Sequence, residues 1–137
     1  MSGGPAVVLD SSALLAFLQD EPGAKAVEGA LAERAAMNAA NWAEVLTKMA
    51  DAGVRPHEVT RRLEAQGILG DGLAIVPLGQ AAAEQIAGLR TGTRRAGLSL
   101  GDRACLALAR SLGLPAMTTD RAWAALRLSG VKVKVIR

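Results

Sequence analysis

The chain predicts a three-layer α/β/α sandwich around a central, mainly parallel sheet, and three features predict it. Short apolar runs with β-branched residues recur along the sequence, one or two helical stretches separate each from the next, and acids stand where strands end or helices begin. Strands so separated pair in parallel through right-handed crossovers. At 137 residues the chain has the size of one ordinary domain with one core, with no internal repeat or linker.

Hydrophobic residues make up 50% of the chain and charged residues 21%, which excludes disorder by low hydrophobicity. Phe17, Trp42 and Trp123 are the only aromatics, so the core must be built from Ala, Leu and Val. Cys105 is alone and has no internal disulfide partner. There is no signal-peptide pattern, and no apolar run approaches the ~20 residues that span a bilayer. The expectation is a cytoplasmic protein without membrane contact. A net charge of +3 is compatible with a polyanionic partner but is too mild to establish one.

In order, Met1–Pro5 reads as a flexible start. Ala6–Leu9 is too short for a helix and reads as a buried strand ending at Asp10. Ser11 or Ser12 is expected to cap a helix to about Gln19, with Leu14, Leu15 and Leu18 inward. Glu21-Pro22-Gly23 breaks it, and an alanine-rich helix follows to about Arg34. The topology then calls for a short strand near Met37. Asn41–Ala52 reads as a helix with Trp42, Val45, Leu46 and Met49 on one face. Pro56 opens another, at a position that proline tolerates, running to about Gln66. Leu73–Val76 is the next strand, Gln80 to about Leu89 a helix, and Thr91–Gly97 a basic loop. Gly101–Leu112 is an apolar helix, Ala116–Thr118 a strand, and a short helix surrounds Trp123. In Val131–Ile136 valines alternate with Lys132 and Lys134, as in an edge strand whose charges discourage pairing.

Four acids stand out. Asp10 and Asp120 follow strand ends; Glu44 and Asp102 are placed in the first turns of helices. In a parallel sheet, strand ends and the starts of the following helices share one rim, where ligands of open α/β sheets bind. Clustered carboxylates repel unless a cation sits among them, and hard oxygen ligands suit Mg²⁺ or Mn²⁺. One ion or two would serve phosphodiester chemistry. Each acid also has a local use. Ser99-Leu-Gly-Asp102 and Asn41-Trp-Ala-Glu44 have capping-box spacing, Glu44 has Lys48 at i+4, Asp120 can cap the Trp123 helix, and Asp10 can be a turn residue. Capping does not require four acids on one rim.

Val8-Leu-Asp10-Ser-Ser12-Ala-Leu-Leu-Ala16, Asn41-Trp-Ala-Glu-Val45, Leu98-Ser-Leu-Gly-Asp102 through Ala109, and Leu114-Pro-Ala-Met-Thr118-Thr-Asp120-Arg-Ala-Trp123 stand in this order across nearly the whole chain. Together they resemble the motifs of PIN-domain ribonucleases, specifically the VapC-like toxins of bacterial and archaeal toxin–antitoxin pairs. The resemblance implies metal-dependent cleavage of RNA by hydroxide attack on phosphorus, leaving a 5′-phosphate and a 3′-hydroxyl. It implies Asp10, Glu44, Asp102 and Asp120 as Mg²⁺-binding acids, with Mn²⁺ a possible substitute. It also implies Ser12 and Thr118 as supporting hydroxyls, and Asn41 as a supporting polar residue. Some PIN nucleases carry a further acid just after the last aspartate; here Arg121 and Ala122 follow, which puts a second metal position in doubt. A cognate antitoxin covering the acidic groove, a homodimer through the early helices and a higher assembly with antitoxin are implied too.

Arg90, Arg94 and Arg95 flank the expected rim and are candidates for phosphate contact, which positions RNA without reading its sequence; a solvated loop and antitoxin contact are the alternatives. Arg103 and Arg121 each follow a rim acid and either approach the phosphate or balance the acids. His57 lies far from every acidic motif. Cys105 reads as a packed thiol and Trp42 as a core residue; Trp123 either packs under the last loop, the preferred reading, or stacks on a base. Competing functions are a PIN nuclease of RNA processing without an antitoxin, and a non-catalytic RNA- or protein-binding module. Retention of all four acids argues against the latter. A phosphoaspartyl phosphatase would want an acid where Ser12 stands, and no Gly-rich phosphate loop follows the first strand.

Overall fold

The strand that organises the fold is Val7–Leu9 (β1), buried on both faces. A computed structural model describes residues 3–137; the flexible start read at Met1–Pro5 lies partly outside the described residues. The remaining strands are Ala35–Asn38 (β2), Leu73–Val76 (β3), Ala116–Thr118 (β4) and Val133–Val135 (β5). Every pairing is parallel, in the order β3-β2-β1-β4-β5. The helices are Ser11–Leu18 (α1), Ala24–Glu33 (α2), Ala39–Asp51 (α3), Pro56–Ala65 (α4), Gln80–Thr93 (α5) and Leu100–Leu112 (α6), with 3-10 segments at Arg94–Ala96 and Arg121–Ala125. The three-layer α/β/α sandwich is the observed architecture.

The two-residue period of the strands divides the core. Val7, Leu9, Ala35, Met37 and Met117 pack with Leu14 of α1, Val27 and Leu31 of α2 and Val45 of α3. Val8, Ala36 and Ala116 face the opposite layer, against Ile86 and Leu89 of α5 and Ala104–Ala109 of α6. Alanines on β2 and β4 let α6 lie close to the sheet, as a core poor in aromatics requires. No helix among the described residues is long and apolar enough to cross a membrane.

Four boundaries differ from the sequence expectation. Asp10, not Ser11 or Ser12, caps α1 by accepting from the Ala13 amide at 2.8 Å; the two serine hydroxyls are engaged instead with carboxylates. Asn38 caps α3 through the Ala40 amide, so α3 starts earlier than Asn41 and Glu44 falls in its second turn rather than its first. The basic loop expected at Thr91–Gly97 is largely helical. Ile86, Leu89 and Thr93 continue one buried stripe, and the Thr93 hydroxyl bonds back to the Leu89 carbonyl at 2.6 Å, so packing on α6 carries α5 past Gly92 despite the propensity cost of glycine. β5 is shorter than Val131–Ile136 because only its middle pairs with β4 in ladder register.

Candidate metal centre at the acidic rim

After β1 the chain lays β2 and β3 on one side and returns to place β4 on the other. The order reverses between β1 and β4, so their carboxyl ends border the crevice where open α/β folds hold ligands. Asp10 follows β1 and Asp120 follows β4, Asp102 lies in the first turn of α6, and Glu44 projects from α3.

Asp10 is only 5% exposed. Thr118 Oγ1 donates to its Oδ2 at 2.5 Å, and Ser12 Oγ and the Ala13 amide donate to Oδ1 at 2.7 and 2.8 Å. Burial pushes its pKa from 3.8 up to about 6; the three donors oppose that rise, and the charge of Asp102 adds to it. Both hydroxyls are themselves anchored, because the Thr119 amide donates to Ser12 Oγ and the Asp120 amide to Thr118 Oγ1, each at 3.0 Å. The ends of β1 and β4 are thus joined through a carboxylate and two hydroxyls.

Glu44 Oε1 accepts from Ser11 Oγ at 2.5 Å and from Asn41 Nδ2 at 3.2 Å. Asn41 Nδ2 also donates to the Gly101 carbonyl at 2.9 Å. With both acceptors on Nδ2 the amide orientation is fixed, and Oδ1 is left buried without a donor. Asp102 stands at the third position of α6 and completes a capping box with Ser99, at 3.0 Å in each direction. Asp120 caps the Arg121–Ala125 segment through the Ala122 amide at 3.0 Å. Cys105 is fully buried one turn beyond Gly101; burial first, then the charges of Asp10, Asp102 and Glu44, hold its thiol well above the usual range. Three acids from three elements therefore act on one region, and the thiol stays protonated.

Among the described residues no three His, Cys, Asp or Glu side chains stand close enough together to ligate one ion jointly. Each rim acid is satisfied by donors of the chain instead. The donor set is nonetheless all oxygen and anionic, and Mg²⁺ keeps most of its waters while binding through one or two carboxylates. The residues present fit such an ion, with Asp10 and Asp102 the pair whose charges are felt together.

Of the basic residues singled out, Arg90 lies in α5 and Arg94 and Arg95 in the following 3-10 segment, all exposed. Arg103 turns away from the rim: its Nη1 donates to the Ile86 carbonyl at 3.0 Å and its Nε is buried, so it ties α6 to α5. Arg121 Nε donates to the Arg137 carbonyl at 3.1 Å. Trp123 is buried, Trp42 half-buried, and His57 exposed on α4. Sequence reasoning missed Ser11, read there as a cap, and Gly101; only its position beside Asp102 could have flagged the glycine.

A parallel α/β/α sheet with acids at its switch point defines the class of a carboxylate-rimmed α/β protein. The PIN domain family model matches residues 7–128, and the chain belongs to the PIN-domain family. The structure is similar to a chain of the DNA-bound VapBC from Salmonella typhimurium (18% identity, TM-score 0.69, covering 97% of this chain and 99% of that one). It is similar to a chain of a toxin–antitoxin complex from Klebsiella pneumoniae (23%, TM-score 0.66, 91% and 94%). VapBC-5 from Mycobacterium tuberculosis is a third such likeness (27%, TM-score 0.56, 97% and 99%). No curated protein matches the chain.

Proposed function

We propose that this chain is a single PIN domain over residues 1–137 acting as a Mg²⁺-dependent endoribonuclease toxin, restrained by a cognate antitoxin protein. Membership of the family and likeness to chains of toxin–antitoxin complexes support the class. The observation that carries the chemistry is Asp10: a carboxylate buried at the switch point, beside the charge of Asp102, with a pKa raised to about 6. A site that resists a lone negative charge gains most from a divalent cation. Bound Mg²⁺ supplies charge neutralisation at the phosphodiester and an activated water.

Asp10, Glu44, Asp102 and Asp120 hold the cation, directly or through the waters it keeps. Ser12 and Thr118 keep the Asp10 carboxylate fixed against β4, and Asn41 braces Glu44 against α6. Arg94, Arg95 and Arg121 contact RNA phosphates in this reading; Arg103, engaged under α5, acts by holding the helix that carries Asp102. The antitoxin covers the rim and sets a basic side chain among the acids. Two copies pair through the alanine-rich early helices, the antitoxin adding to that assembly, and the protein works in the cytoplasm.

The test is RNA cleavage by the purified chain with Mg²⁺ or Mn²⁺, beside Asp10→Asn and Asp102→Asn. Loss of a carboxylate that holds the cation lowers the rate on the order of a hundredfold or more, with circular dichroism unchanged. No cleavage by the wild type with either ion, or undiminished cleavage by both variants, overturns the proposal.

A further inference from the structure

Glu44 is the rim acid with the least natural reason to stay in place. It is exposed, sits on a long side chain, and comes from the second turn of α3, an element that carries no other rim acid. A free glutamate of this kind spreads its carboxylate over many rotamers, and fixing it costs side-chain entropy. Two residues outside the assigned set counter that freedom. Ser11 Oγ donates to Glu44 Oε1 at 2.5 Å, the shortest contact Glu44 makes. Gly101 forms the floor: a Cβ built there would collide with the Glu44 carboxylate, so the carboxylate lies where only glycine leaves room.

We infer that Ser11 and Gly101 are positioning residues that seat the Glu44 carboxylate on the rim. Their places in the chain fit this role. Ser11 is the first residue of α1, next to its Asp10 cap, and Gly101 directly precedes Asp102 in α6. The neighbours of two rim acids therefore fix the third, so α1, α3 and α6 register against one another at the site itself. Ser11 and Asn41 both bond Oε1, which leaves Oε2 outside this set of hydrogen bonds. Residues that orient a metal-binding carboxylate typically change metal affinity by about 10–100-fold when removed.

This role rests on the divalent-cation reading above, and the experiment separates the two. Mn²⁺ binding is measured by calorimetry on wild type, Asp10→Asn, Glu44→Gln, Ser11→Ala, Ser11→Thr, Gly101→Ala and the Ser11→Ala/Glu44→Gln double variant, with folding followed by circular dichroism. Ser11→Ala and Gly101→Ala are expected to weaken Mn²⁺ binding about tenfold. Ser11→Thr, which keeps the hydroxyl, restores it. Ser11→Ala adds nothing in the Glu44→Gln background, because the group it positions is already gone. Wild-type affinity in Ser11→Ala, or the same tenfold loss with Glu44→Gln present, overturns the positioning role while Asp10→Asn still reports the metal. Absence of Mn²⁺ binding by the wild type removes the cation reading and this role with it. Ser11 is partly exposed, so its variants keep the test decisive if Gly101→Ala does not fold.

Discussion

The two strand ends that border the crevice use the same local device and reach different outcomes. β1 runs into Asp10, which caps α1 through the Ala13 amide; β4 runs, one residue on, into Asp120, which caps the Arg121–Ala125 segment through the Ala122 amide. Asp10 is buried beneath a two-turn helix that α2 and α3 pack against, and its pKa rises to about 6. Asp120 is exposed above a five-residue 3-10 turn whose one buried side chain is Trp123. Equal caps thus yield one acid charged at a cost and another left open to solvent. The neighbours, not the cap, decide which.

The largest effect should come from the weaker junction. Trp123 is 1% exposed and packs with Leu126, Leu128, Val131 and Val133 against the α6 layer. Trp123→Ala should cost about 3–5 kcal/mol, read from the urea midpoint. A loss below about 1 kcal/mol would mean that the β4 junction is held by something other than this side chain.

Asp10 sharpens the comparison through pH. Its folded pKa of about 6 lies above its unfolded value of 3.8, so the folded state binds the proton more tightly. The stability this contributes is full below about pH 4 and is lost as pH rises through about 6. The shift corresponds to on the order of 3 kcal/mol. Denaturation of the metal-free protein across pH 4 to 7 should show that decline, and Asp10→Asn should flatten it. An equal decline in Asp10→Asn would assign the titration elsewhere and break the contrast.

The smallest effect belongs to Asp120. Asp120→Ala removes one cap from an exposed turn and should cost about 0.5–1 kcal/mol at pH 7. A thermal melt showing a loss as large as that of Trp123→Ala would make the two junctions equivalent in their dependence on the acid.

The strands, the family motifs and the order of the acids were legible because each is a local pattern: a short apolar run, a capped helix start, an acid after a strand. The Asp102 capping box was legible for the same reason, since Ser99 and Asp102 are three residues apart. What escaped depended on distance along the chain. Ser11 meets Glu44 across 33 residues, and Asn41 meets Gly101 across 60. Arg103 looked like a rim cation by its place after Asp102, yet the packing of α6 on α5 brings its guanidinium to the Ile86 carbonyl. The cap of α1 went to Asp10 because its backbone is extended where the helix begins at Ser11, and Ser11 found Glu44 only once α3 was in place.

By itself the sequence determined which elements form and in what order its acids reach one edge of the sheet, since periodicity, caps and breaks act within a few residues. The tertiary structure alone decided that Asp10 would be the buried acid, that Glu44 would rest on Ser11 and Gly101, and that Arg103 would serve packing. Desolvation and hydrogen-bond partnership are summed over neighbours from every layer, and no short stretch of chain carries that sum.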